Sequence, residues 1–118
     1  MTIRRRAAER RGRRAETIAA WWLRLHGWRI LARRVRTPAG EIDIVARRLG
    51  TIAFVEVKAR ATRAESEIAL DRHRLLRVAA AAELLAPRFT RPGEVTRIDA
   101  ILLAPGTLPR HLADVWQG

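Results

Sequence analysis

Asp43 and the run Glu56-Val57-Lys58 are separated by twelve residues, and together they place two carboxylates and one amine within a short stretch of chain. Lys58 is the single lysine among 24 basic residues; the other 23 are arginine. Arginine stays charged and holds its donors in a planar fork, whereas lysine is a compact ammonium whose pKa its neighbours can move. A position that keeps lysine in so arginine-rich a chain points to chemistry that needs an amine.

The flanking residues say how these groups are held. Gly40-Glu41-Ile42-Asp43-Ile44-Val45-Ala46 and Thr51-Ile52-Ala53-Phe54-Val55-Glu56-Val57-Lys58-Ala59-Arg60 are rich in β-branched and apolar residues. Arg47-Arg48-Leu49-Gly50 connects them, so the pair reads as a β-hairpin. Alternation along a strand puts Glu41 and Asp43 on one face, and Glu56 and Lys58 on one face of the partner. The remaining positions are almost wholly apolar, which predicts a sheet covered on both sides. Carboxylates inserted there are costly unless paired or coordinated. A salt bridge from Lys58 to Glu56 or Asp43 answers part of that charge. A surplus of negative charge remains, and a hard divalent cation such as Mg²⁺ or Mn²⁺, which takes oxygen ligands, accounts for it.

Asp43 followed by Glu56-Val57-Lys58 also resembles the D-(x)n-E-x-K pattern of the PD-(D/E)xK nuclease superfamily. Gly40 through Ala46 and Phe54 through Arg60 resemble the "GEIDLIA" and "FVEVKTR" blocks of the YraN family. Gly12 through Ala19, with Ala15-Glu16 at its middle, is similar to that family's opening helix. Asp71 through Ala86 is similar to its second helix, Arg97-Ile98-Asp99 to its "RFD" strand, and His111 through Trp116 to its C-terminal segment. Two positions depart: Arg74 stands where the family usually has lysine, and Ala15 where it often has glycine.

The resemblance implies a restriction-endonuclease-like α/β core and metal-dependent hydrolysis of phosphodiester bonds, with DNA the expected polymer. Asp43, Glu56 and Lys58 are then the catalytic residues. Asp43 and Glu56 hold Mg²⁺ or Mn²⁺, the Val57 carbonyl is a further ligand, and Glu16 is an auxiliary ligand from the first helix. Glu41, one step nearer the turn, supports the ion without binding it. Lys58 orients or deprotonates water or offsets charge on the phosphate. The alternatives are a non-catalytic nucleic-acid-binding module on the same fold and a basic ribosome- or assembly-associated protein. Homodimer pairing, which would let two centres cut two strands, stays open beside a monomer.

Charge points the same way more coarsely. A chain of 118 residues carries a formal charge of +12 and a pI near 11.9, which favours a polyanion, most simply nucleic acid. Arg13, Arg14, Arg60, Arg74 and Arg77 are the expected phosphate contacts. The absence of cysteine excludes disulfides and cysteine–zinc sites. No apolar run is long enough to span a bilayer, and the basic N-terminus lacks a secretory signal's apolar segment, so no membrane partner and a cytoplasmic location are expected.

The length suits a single domain over residues 1–118, with residues 1–11 an arginine-rich arm, either frayed helix or disordered. Apolar spacing predicts a helix from Arg13 to His26, closed by Gly27, then a strand from Trp28 to Arg36 and a turn at Pro38-Ala39-Gly40. Asp71 is the expected N-cap of a second helix ended by Pro87. Val95 to Leu103 reads as a strand and Leu108 to Trp116 as a short helix or coil. The order α-β-β-β-α-β gives a mixed sheet flanked by helices. Core packing is expected for most of Trp21, Trp22, Trp28 and Trp116. His26 is a helix-end residue, and His73 and His111 have no assigned role.

Overall fold

The hairpin forms as its residues dictate, and the rest of the fold is built against it. A computed structural model describes residues 3–60 and 72–117. Its elements are α1 (Ile3–Leu25), β1 (Arg29–Thr37), β2 (Gly40–Arg48), β3 (Thr51–Ala59), α2 (Arg72–Phe89), β4 (Val95–Leu103) and β5 (Arg110–Leu112). The five strands lie in the order β1-β2-β3-β4-β5. All neighbours are antiparallel except β3 and β4, which run parallel across the α2 crossover. The β2–β3 connection is tighter than expected, because Arg47 and Arg48 pair with Ile52 and Thr51. Only Leu49 and Gly50 turn the chain, both at positive φ (46° and 77°). That is the type I′ geometry whose twist matches the flanking strands.

Each face of the sheet is covered by one helix. On one side Ala15, Ala19, Ala20 and Leu23 of α1 pack on Ile44, Ala46, Ala53, Val55, Ile101 and Leu103; the alanines let the helix axis approach the strands closely. On the other, Leu75, Val78, Ala81, Ala82 and Leu85 of α2 pack on Ile42, Val45, Ile52, Phe54 and Ile98. β2 and β3 contribute to both clusters, which explains their nearly unbroken apolar sequence.

Three expectations need correction. α1 starts at Ile3, not Arg13, so the arm's backbone is helical from residue 3 onward. Arginine, alanine and glutamate are good helix formers, and apolar spacing registers only the part of a helix that packs. α2 runs through Pro87 to Phe89; a proline in the last turn costs little where few further backbone bonds depend on it. Within Leu108–Trp116 the chain forms β5, paired to β4 at Ala100, Ile101 and Leu102. The expected N-cap, Asp71, lies outside the described residues. No helix among the described residues is long and apolar enough to cross a membrane.

Trp28 is buried, and Trp22 and Trp116 pack against the two clusters, as expected. Trp21 does not: it is 58 % exposed on the outer side of α1, with the Arg24 guanidinium 5.0 Å from its ring centre. His26 closes α1 through its Nδ1, 2.7 Å from the Trp22 carbonyl.

Candidate active site

The β2–β3 ladder ends at Ile44 and Val55. One step further the register sets Asp43 opposite Glu56, and there the Asp43 side chain takes over from backbone pairing. The Val57 N–H donates to Asp43 Oδ2 at 2.7 Å. A strand residue's N–H and C=O point to the same side, so the Val57 carbonyl also faces the gap where the strands part.

Glu56 and Lys58 are only 4 % and 2 % exposed. Lys58 Nζ lies 3.0 Å from Glu56 Oε1, and the Arg74 Nε, arriving from α2, donates to the same oxygen at 2.8 Å. The expected structural ion pair is therefore present, with a second cation added to it. Arg74, expected as a phosphate contact, stands at the edge of the site with its guanidinium against Glu56 and its side chain 46 % exposed. At the position where the family resemblance leads one to expect an amine, α2 still delivers a positive charge.

Asp43 is held far from its ordinary titration range. Burial, followed by the neighbouring Glu56 carboxylate, pushes its pKa from the ordinary 3.8 up to about 8. The Val57 N–H works against that rise, and the negative charge of Glu16 adds to it. An oxygen from each of Glu16, Glu41 and Asp43 falls within 4.8 Å of the others. Glu16 thus reaches the place expected of it. Glu41 stands in the same cluster while also facing Arg36 at 3.7 Å across the hairpin.

Asp43 lines two recesses, one on each side of the gap. The first, of about 330 Å³, is walled by Gly40, Glu41, Glu56, Arg74, Arg77 and Val78. Gly40 holds φ at 152°, a conformation that favours glycine, and its Cα hydrogen points at the Arg77 backbone, where a Cβ would lie 3.7 Å from the Arg77 carbonyl. The second recess, of about 310 Å³, is walled by Glu16, Val57, Lys58, Arg60 and Arg74, among others. Arg60 and Arg77 therefore flank the acidic groups, whereas Arg13 and Arg14 are exposed on α1 and line neither recess.

A second polar centre is not legible in the sequence. Asp99, fully buried, accepts from Arg97 Nε and Nη2 at 2.9 and 3.1 Å and from the Asp114 N–H at 3.0 Å. His111 Nε2 lies 2.8 Å from Asp99 Oδ2. Burial works to raise the Asp99 pKa, but His111, Arg97 and the Asp114 N–H outweigh it and hold the carboxyl below its usual range. The one signal is an aspartate amid apolar strand residues, which needs partners that local patterning does not supply.

The chain belongs to the YraN family, described as "Uncharacterised protein family UPF0102", whose sequence profile matches residues 15–103. It is 65 % identical over 113 residues to a UPF0102 protein of Sphingopyxis alaskensis, covering 96 % of this chain and 97 % of that one. It is 59 % identical over 115 residues to one from Erythrobacter litoralis, covering 98 % and 99 %. A UPF0102 protein of Caulobacter vibrioides is 49 % identical over 118 residues, covering 95 % and 90 %.

Proposed function

We propose that the protein is a metal-dependent nuclease of the PD-(D/E)xK type, hydrolysing phosphodiester bonds in nucleic acid, with DNA the first polymer to test. The observation that carries this reading is the gathering of Glu16 and Glu41 at Asp43, with the Asp43 carboxyl held in its protonated form up to a pKa of about 8 by burial first and then by the Glu56 and Glu16 carboxylates. Ion pairs reach Glu16 from Arg34, Glu41 from Arg36, and one oxygen of Glu56 from Lys58 and Arg74, whereas Asp43 accepts from the Val57 N–H. An all-oxygen donor set of this kind fits Mg²⁺ or Mn²⁺.

Asp43, Glu56 and Glu16 would hold the ion, with the Val57 carbonyl turned toward the same gap and Glu41 within reach. The chemistry supplied by a bound divalent cation is activation of water and neutralisation of charge on the phosphate. Lys58 sits at the wall of the same recess as Asp43 and Glu16. Its ammonium is placed to orient the attacking water or to stabilise charge developing on the phosphoryl oxygens. Arg60 and Arg77, at the two mouths, would hold the substrate backbone without reading its sequence.

A second reading, a nucleic-acid-binding module without catalysis, is favoured by one feature: Glu56 is already paired twice and needs no metal to be satisfied. Incubation of duplex, single-stranded and branched DNA and RNA with Mg²⁺ or Mn²⁺, beside Lys58→Ala, separates the two. The nuclease reading predicts cleavage that falls by about 10²-fold or more in Lys58→Ala while substrate binding changes little. Cleavage undiminished in the mutant, or none by wild type on any substrate, would remove Lys58 or the reaction from the account.

A further inference from the structure

Arg34 has backbone and side-chain features that the site's other residues do not explain. It sits within β1 at φ 52°, a left-handed conformation that is costly for any residue with a Cβ. Arg33 pairs with Ile44 and Val35 with Ile42, so Arg34 is the residue opposite Asp43, yet those two form no ladder pair. The irregularity is matched on both strands. In β2, Ile42 and Val45 pack toward α2 while Ile44 packs toward α1, so strict alternation fails between Ile42 and Val45. In β1, the consecutive Arg33 and Arg34 both reach α1. Arg33 Nη2 donates to Thr17 Oγ1 at 3.1 Å, and Arg34 Nε donates to Glu16 Oε2.

The register shift of this strand pair lies earlier, between Ile30 and Ala32, and pairing resumes in unchanged register on either side of Arg34. Arg34 falls beside the bend that turns Asp43 toward Val57 and Glu16. The Glu16 side chain is 13 % exposed, and a helical glutamate has several rotamers open to it unless something fixes one. Strain held next to a charged cluster calls for a compensating role.

We propose that Arg34 is a positioning residue of the acidic cluster. Its left-handed backbone lets β1 follow the bend at Asp43, and its guanidinium fixes the Glu16 carboxylate beside Asp43 and Glu41. The inference deepens the reading of the cluster as a cation site and rests on it, but the Arg34–Glu16 pair itself can be tested without metal. Two measurements keep the claims apart. In the metal-free protein, the Arg34 Nε–H is expected to give a downfield, exchange-protected NMR signal that Glu16→Ala abolishes. A missing signal, or one unchanged by Glu16→Ala, overturns the positioning role however metal behaves.

In Mn²⁺ calorimetry, Arg34→Gly is expected to bind about 10- to 100-fold more weakly than wild type, the range typical of partners that orient metal ligands. Glycine accepts φ 52°, so the unfolding midpoint of that variant should stay within about 4 °C of wild type, which separates positioning from general loss of structure. Arg34→Lys should recover affinity toward wild type, and Arg34→Gly combined with Glu16→Gln should be no worse than Glu16→Gln alone. Equal or tighter Mn²⁺ binding by Arg34→Gly means that the guanidinium merely competes with the cation, and overturns the proposal. Wild type that binds no Mn²⁺ while showing the protected signal retires the hydrolase reading and leaves the Arg34–Glu16 pair standing.

Discussion

Asp43 shows how one residue's environment can read as both liability and function. Its carboxyl has an ordinary pKa of 3.8 and a folded value of about 8. Between those values the native state keeps a proton that the unfolded chain has released, so rising pH favours unfolding. The metal-free protein should therefore lose stability from about pH 4 to pH 8 and level off above that. Asp43→Asn removes the titration. Urea unfolding without metal should find this variant more stable than wild type at about pH 9, on the order of a few kcal/mol, with the advantage gone near pH 4. Saturating Mn²⁺ should narrow or reverse that difference, because only wild type offers the charged ligand. A variant less stable than wild type under the same alkaline, metal-free conditions would mean that weakening the Val57 N–H bond outweighs relief of the crowding. Lys58, by contrast, shares one oxygen of Glu56 with Arg74, and in the nuclease reading its variants should lower turnover far more than substrate binding.

At the scale of elements, what local pattern determines is legible in the sequence, and what depends on tertiary partners is not. The hairpin and the Val95–Leu103 strand follow from β-branched alternation, and Asp43, Glu56 and Lys58 fall together because a hairpin's register follows from its turn. β5 escapes such a reading because Arg110–Leu112 has little to mark it as a strand; it pairs with β4 where His111 meets Asp99. Arg34 escapes it because a left-handed arginine leaves no trace in sequence. The Arg97-Ile98-Asp99 segment is, in structural terms, a clamp on the C-terminal segment. Asp99→Ala should cost about 3 kcal/mol, since it strips a buried carboxylate from Arg97, His111 and a backbone N–H at once. The Asp99 contribution is complete above the ordinary carboxylate pKa and disappears only as pH falls through its depressed folded value. Denaturant unfolding of Asp99→Ala at neutral and at strongly acidic pH checks both the size and the sign. Cleavage by whatever fraction remains folded should be retained.

The whole molecule sets a strongly basic composition around a recess where acidic residues concentrate. Of twelve acidic residues, Glu16, Glu41, Asp43 and Glu56 gather at one place, within a chain of net charge +12. A net charge of that size favours a polyanion, and the proposed ligand is a phosphate backbone. Nucleic-acid binding should accordingly fall steeply as salt rises. Replacing Arg13 or Arg14 should lower the logarithmic salt slope by about one for each phosphate no longer neutralised, equally for all sequences. A shallow slope would argue against the backbone as the ligand. The most direct test of the recess itself is calorimetric titration of Mn²⁺ into wild type and Asp43→Asn from mildly acidic to mildly alkaline pH. Binding to wild type should tighten about tenfold per pH unit until near pH 8, with proton release, and should vanish in Asp43→Asn. Superimposable isotherms for the two proteins would contradict the cation site.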